Sequence, residues 1–306
     1  MSQPTSELAI SVADLTKDYD GLRAVDSANF KVPLGTICGF VGPNGSGKTT
    51  TIRMLLGLIE PNAGRGEILG EPIGHPERYL ARVGAMIEGP AFYPALSGEE
   101  NLRVLATLGG CDQTRVKELL ALVGLEDRGG SKYKTYSLGM KQRLGIAAAL
   151  LPDPKLLILD EPTNGLDPAG IQEIRDLLTD LSKKGVTVFV SSHLLSEIEM
   201  ISDYLVILRR GKVIFFGRTE DLLLQSRATI TAIPQNPEDM AKLHSLVEFA
   251  GHQARIDSKE LHIQANPEWG SELNKLAFEN GIVLREITPV RATLEETFFE
   301  LTEGTR

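Results

Sequence analysis

Residues 42–49 read Gly42-Pro43-Asn44-Gly45-Ser46-Gly47-Lys48-Thr49. A short β-rich run, Thr36–Val41, precedes them. A helical pattern from Lys48 to Leu58 follows, with Ile52, Leu55, Leu56 and Ile59 on one face. Strand, glycine loop, helix is the order that a phosphate-cradling loop requires. The glycines let the backbone curl so that successive N–H groups point at one anion, and the helix adds the positive end of its dipole. Lys48 supplies a point charge for the β- and γ-phosphates, and the Thr49 hydroxyl is a ligand for Mg²⁺. Alone, the motif specifies a nucleoside triphosphate and no particular reaction.

Further along, Leu156-Leu157-Ile158-Leu159-Asp160-Glu161 is an apolar run ending in two carboxylates, the pattern of a buried parallel strand. Asp160 is a candidate to hold Mg²⁺, mostly through water, because that ion dehydrates reluctantly. Glu161 is a candidate to polarise an attacking water. The run leads into Pro162-Thr163-Asn164-Gly165-Leu166-Asp167. Between the two motifs, Tyr136-Ser137-Leu138-Gly139-Met140-Lys141-Gln142-Arg143 opens a helix, whose N-terminus is suited to a second phosphate contact. Read bare, Ser137 is an ordinary N-cap.

In this order the motifs resemble the nucleotide-binding domain of ABC transporters, over approximately residues 8–218. The resemblance implies an α/β fold of the P-loop NTPase type: a β-rich subdomain, a RecA-like core and a helical subdomain. It implies ATP and Mg²⁺ as cofactors, with Gly42 to Thr50 as the phosphate loop. Tyr19 then stands where an aromatic ring stacks on adenine, and Val25 packs on the same base. Ser137 and Gly139 contact the γ-phosphate, and Asp167 lies in the loop that crosses the dimer interface. Asp160 and Glu161 match the metal and base positions, and His193, in Ser191-Ser192-His193, matches the switch histidine. Two positions depart from the family pattern. Leu138 and Met140-Lys141 replace a glycine and a glutamine of the signature, and Glu88 stands where a Mg²⁺-contacting glutamine is usual. Both departures are similar to a subgroup of exporters linked to bacitracin, lantibiotic and other drug or peptide resistance. So are Phe92-Tyr93-Pro94 and the tail Thr293–Phe298.

The resemblance therefore implies a homodimer of ATPase domains powering a separately encoded permease, from the cytoplasmic side of the membrane. The alternative is a soluble ABC ATPase acting on nucleic acid or ribosomes. Composition weighs against it: 32 basic against 41 acidic residues give a net charge of −9, and nucleic-acid binders carry a basic face. No nucleic-acid partner is expected. Cys38 and Cys111 have no metal-ligand spacing, in keeping with a reducing compartment. Residues 1–7 carry no basic and apolar leader pattern, and no apolar stretch approaches the ~18 residues of a spanning helix.

Strand and helix patterns alternate up to about Arg218 and suit an α/β core. Ser97 and Glu100 form a capping box before a helix, Ile171–Leu181 is amphipathic, and Tyr204–Leu208 with Val213–Phe216 reads as a hairpin around Arg210-Gly211. Beyond it, strands are expected at Ala228–Ile233, Leu261–Ala265 and Ile282–Ile287, with helices at Pro237–Phe249, Pro267–Phe278 and Thr293–Leu301. The expected organisation is an ATPase domain over residues 1–218 and a small α+β accessory domain over 219–306.

Overall fold

The computed structural model describes residues 7–89, 91–225, 229–290 and 293–303. The N-terminal stretch 1–6, Pro90 and Ala228 lie outside them. Two compact units divide the chain, Met1–Thr219 and Glu220–Arg306.

In the first unit, β1 (Leu8–Tyr19) and β2 (Leu22–Pro33) form a long antiparallel hairpin turning at Asp20-Gly21. β3 (Ile37–Val41) is buried at every residue and feeds the phosphate loop and α1 (Lys48–Leu55). The helix stops three residues short of Leu58. Gly57 turns left-handed at φ +68°, and the Leu55 carbonyl accepts a hydrogen bond from the Tyr79 hydroxyl at 2.8 Å. Burial pushes that phenol up to about 12. β4 (Ala63–Ile68) and β5 (Glu71–Pro72) complete a four-stranded antiparallel sheet in the order β2-β1-β4-β5.

The second sheet is mostly parallel. It takes β6 (Val83–Met86), then a helical stretch of α2 (Gly98–Gly109), α3 (Arg115–Leu122) and α4 (Leu138–Ala149). β7 (Leu156–Asp160), α5 (Pro168–Lys183), β8 (Thr187–Ser192), α6 (Leu195–Glu199), β9 (Tyr204–Arg209) and β10 (Lys212–Arg218) follow. The order is β10-β9-β3-β8-β7-β6, with only β10 antiparallel to its neighbour. β3, β7 and β8 are buried along their whole length, as strands covered on both faces must be. Phe30 of β2, Phe40 of β3 and Phe189 of β8 stack with centroids 5.0 to 6.0 Å apart and join the two sheets into one core.

Two helix starts matter for the site. Asp167 caps α5, its Oδ1 accepting from Gly170 N at 3.0 Å, so the helix begins before the expected Ile171. The capping box on α2 forms both bonds: Glu100 N to Ser97 Oγ at 3.1 Å and Ser97 N to Glu100 Oε2 at 2.7 Å.

After α7 (Thr219–Gln225), the second unit runs β11 (Thr229–Pro234), α8 (Met240–Phe249), β12 (Ala254–Asp257), β13 (Glu260–Gln264), α9 (Gly270–Glu279), β14 (Leu284–Val290) and α10 (Leu294–Glu303). The sheet order β12-β13-β11-β14 with βαββαβ succession is the split βαβ arrangement of ferredoxin-like domains. Its own core gathers Ile230, Leu243, Val247, Leu261, Ile263 and Leu273.

Candidate functional site

The loop after β3 curls as the sequence requires. Gly45 and Gly47 take φ +76° and +108°. A Cβ on Gly47 would lie 2.4 Å from the Ala24 carbonyl, and one on Gly42 2.2 Å from the Leu208 carbonyl, so neither position admits a side chain. Lys48 is buried to 6% exposure, and its Nζ donates to the Gly42 carbonyl at 2.7 Å. Ser46 Oγ is buried and has no hydrogen-bond partner, an orphan that a phosphate oxygen would satisfy.

Three acidic and polar groups converge here from neighbouring parallel strands. Asp160, the last residue of β7, accepts from Thr49 Oγ1 at 2.8 Å and from Ser191 Oγ at 2.5 Å. Glu161 follows at φ +50°, an uncommon conformation for a side-chain-bearing residue. Ser191 holds it: the Glu161 N–H reaches the Ser191 hydroxyl at 3.0 Å and its carbonyl at 3.2 Å. The turn splits the two carboxylates. Asp160 faces Thr49, while Glu161 Oε1 lies 3.2 Å from Lys48 Nζ, an ion pair without hydrogen-bond alignment. Its Oε2 meets His193 Nδ1 at 2.7 Å. Thus Lys48, Glu161 and His193 form one chain of contacts, and Thr49, Asp160 and Ser191 another.

A cleft of about 580 Å³ opens over this loop. Tyr19, Asn44, Gly45, Gly47, Lys48, Thr49, Thr50 and Glu161 line it. Tyr19 is 41% exposed, and Lys17 Nζ stands 5.2 Å from its ring centroid. Val25 does not line the cleft. It is fully buried, lies under Gly47 in the core, and offers no surface to a base; strand alternation turns it inward while Ala24 faces the opening.

Ser137 and Gly139 do not line the cleft either. Ser137 Oγ accepts from Met140 N at 3.3 Å as the cap of α4, and Leu138 beside it is 48% exposed. These residues lie against the Asp167 loop: a Cβ on Gly165 would stand 3.0 Å from Leu138 Cδ2, and one on Gly139 3.8 Å from Leu166 Cδ2. Glu88, at φ +57°, is exposed and pairs with Arg53 of α1 rather than with Thr49 or Asp160. Phe92 is half-buried, edge-on to Tyr133 at 5.1 Å, whereas Tyr93 is 61% exposed. Asn101 fixes Tyr93 by its backbone, accepting from its N–H at 2.8 Å and donating to its carbonyl at 3.1 Å.

Sequence reading missed Ser191, Asn101, and two cleft arginines, Arg23 and Arg210. Ser191 stood in the Ser191-Ser192-His193 run quoted for its histidine. The arginines flank turns and carried no chemical pattern of their own.

A loop of this curl, with a buried lysine and a hydroxyl–carboxylate pair beside it, defines a phosphate-loop protein that binds a nucleoside triphosphate. Comparison with known proteins narrows the class. The family model "ABC transporter" matches residues 25–164. The bacitracin transport ATP-binding protein BcrA of Bacillus licheniformis is 42% identical over 302 residues, covering 96% of this chain and 97% of that protein. The lantibiotic transport ATP-binding protein SrtF of Streptococcus pyogenes is 40% identical over 205 residues, 67% of this chain and 89% of that one. A solved ATP-binding subunit of an ABC transporter is 34% identical with a TM-score of 0.64, covering 71% of this chain and 92% of that chain. The chain belongs to the ABC transporter family, as an ATP-binding and ATP-hydrolysing subunit. No helix among the described residues is long and apolar enough to cross a membrane.

Proposed function

We propose that two copies of this chain bind two ATP molecules between them and drive a separately encoded permease that exports an antibiotic or peptide. The observation that carries the dimer is the separation just described: Lys48 and Glu161 line the cleft, and Ser137 and Gly139 lie outside it. A second copy, placed head to tail, supplies them. The class of cargo is taken from the names of the relatives, which are transporters of bacitracin and of a lantibiotic. Attachment to the inner face of the membrane goes through the permease, with exposed Tyr93 as an anchor for it.

Within the site, Lys48 and the loop amides neutralise the terminal phosphates, and Tyr19 stacks on adenine. Thr49 and Asp160 would hold Mg²⁺, which when bound offsets phosphate charge. A hydroxyl and one carboxylate fit an ion that keeps several waters. Glu88 stands near the end of β6, and its pairing with Arg53 reduces the charge it would bring to that metal. Glu161 takes the proton side of the attacking water, and His193, bonded to it, orients both. Asp167 joins the interface from the loop beside Leu138. Residues 219–306 form an accessory domain.

Glu161→Gln tests the assignment. The variant retains ATP binding, loses turnover by about a hundredfold or more, and elutes as a dimer with ATP in size-exclusion chromatography. Undiminished turnover would remove Glu161 from the mechanism, and a monomer with bound ATP would remove the shared site. Co-purification with a hydrophobic membrane subunit checks the permease.

A further inference from the structure

Arg23 and Arg210 line the cleft together with Lys48, and their surroundings differ. Arg23 Nε lies 2.9 Å from Asp18 Oδ1 and its Nη1 3.3 Å from Asp26 Oδ1, so two carboxylates neutralise it. Arg210 is exposed, and no carboxylate pairs with it among the described residues. Lys48 is engaged by the Gly42 carbonyl and by Glu161. Arg210 is therefore the cation on the cleft wall whose charge the protein leaves uncompensated.

Its position is fixed. Arg210 sits at φ +50° in the β9–β10 turn, followed by Gly211 at φ +81°. The Gly211 N–H donates to the Ser46 carbonyl at 2.9 Å, and the Gly211 carbonyl accepts from Asp26 N at 2.8 Å. Asp26 also pairs with Lys212 at 3.3 Å. The turn is thus stitched to the phosphate loop on one side and to β2 on the other. Two successive positive φ values between the paired residues Arg209 and Lys212 are those of a two-residue hairpin turn, which fixes where the Arg210 side chain leaves the backbone.

A guanidinium offers five donors and no acceptor, and its fork matches phosphate oxygens. Arg210 shares the cleft wall with Tyr19, Leu22 and Ala24, the hairpin assigned above to the base, while its turn is bonded to Ser46 of the phosphate loop. We propose that Arg210 binds the α-phosphate of ADP and ATP, a subsite beside the terminal-phosphate site built around Lys48. The proposal rests on the reading of this cleft as the nucleotide site.

The test uses the full chain, with Arg210→Asn to remove the charge at a position where asparagine tolerates the left-handed backbone, and Arg210→Lys to keep the charge without the fork. Equal melting temperatures confirm that the variants are folded. Equilibrium binding is measured for ADP and for inorganic phosphate, a single phosphoryl group that occupies only the terminal subsite around Lys48. Arg210→Asn weakens ADP by about five- to twentyfold and leaves inorganic phosphate unchanged, Arg210→Lys recovers part of the loss, and KM for ATP rises at nearly constant kcat. Unchanged ADP affinity overturns the proposal. So does an equal loss for inorganic phosphate, which would mark a general field effect. Lys48→Ala in the same assay separates the two readings. ADP affinity that it leaves unchanged counts against the cleft as the nucleotide site. Loss in Lys48→Ala with none in Arg210→Asn removes only the α-phosphate contact.

Discussion

Adjacent strand residues point to opposite faces, yet Asp160 and Glu161 serve one site. The conflict is resolved by a single residue. Glu161 leaves the extended conformation at φ +50°, and its N–H is held by the hydroxyl and carbonyl of Ser191 on the next strand. The same hydroxyl donates to Asp160 Oδ1 at 2.5 Å. Ser191, fully buried, therefore sets the direction of both carboxylates without facing the cleft. It is a positioning residue, and Ser191→Ala should reveal it in two ways. Turnover falls about tenfold or more because the Glu161 turn loses a bond that sustains its strained backbone. In addition, the Mg²⁺ concentration for half-maximal ATPase activity rises, because Asp160 loses the donor that orients it. A magnesium titration of steady-state hydrolysis checks this; a fall in kcat with an unmoved midpoint would confine Ser191 to Glu161. The contrast with Val25 is instructive at the same scale. Both residues sit on strands beside the loop, and family resemblance drew attention to Val25. Burial shows that Ala24, one residue earlier, is the one that faces the cleft.

Helix α2 carries its start signal in plain view, and its energetics follow from two side chains. Ser97 is nearly buried, and Ser97→Ala should destabilise the chain by about 1 kcal/mol, the usual size for a lost cap, read as a lower midpoint in urea. Glu100 accepts the Ser97 N–H, and this bond holds its carboxyl below the ordinary glutamate value of 4.5. A carboxyl depressed in the folded state adds stability that is complete above the unfolded value and disappears as pH falls through the folded one. The difference in melting temperature between the native chain and Glu100→Gln should accordingly be constant near neutrality and shrink below about pH 4.5. A difference that stays constant down to pH 3 would mean that the carboxylate form contributes nothing to the cap. Elements of this kind were legible because their signals are local: caps at Ser97 and Ser137, continuous apolar runs for β3, β7 and β8, and glycines at the loop. β4 and β12 were not. Ala63–Ile68 buries only Gly66 and Ile68, and Ala254–Asp257 is exposed along most of its length, so neither shows alternation. Each is a strand because a partner supplies the ladder: the sequence-distant β1 for β4, and the adjoining β13, across the Ser258-Lys259 turn, for β12. The arginines of the cleft escaped for a related reason: Arg23 and Arg210 are nearly two hundred positions apart, and only the stitching of Gly211 to Ser46 and Asp26 brings their turns to one wall.

At the scale of the whole molecule, the placement of Ser137 makes a claim about copies rather than residues. Within one chain the cap of α4 packs beside the Asp167 loop, outside the cleft that Lys48 and Glu161 line. If a head-to-tail pair completes two sites, each contains Lys48 of one copy and Ser137 of the other. Lesions at the two positions then complement. Lys48→Ala alone disables both sites of its homodimer by removing the loop cation. Ser137→Arg alone also disables both, by filling the place of the shared phosphate while leaving the surface of α4 soluble. In a mixed pair, the copy with intact Lys48 faces the copy with intact Ser137, so one site is whole and the other carries both lesions. Equal mixing yields mixed pairs as half of all dimers, each with one site of two. The expected ATPase activity is therefore about a quarter of the native rate, provided that sites act independently. Neither variant alone exceeds background. Activity that never rises on mixing, although sedimentation shows mixed pairs, would place Ser137 and Lys48 in the service of the same chain. Dilution supplies the companion measurement. Activity that depends on a partner falls faster than protein concentration once pairs dissociate, whereas a self-sufficient site keeps constant specific activity.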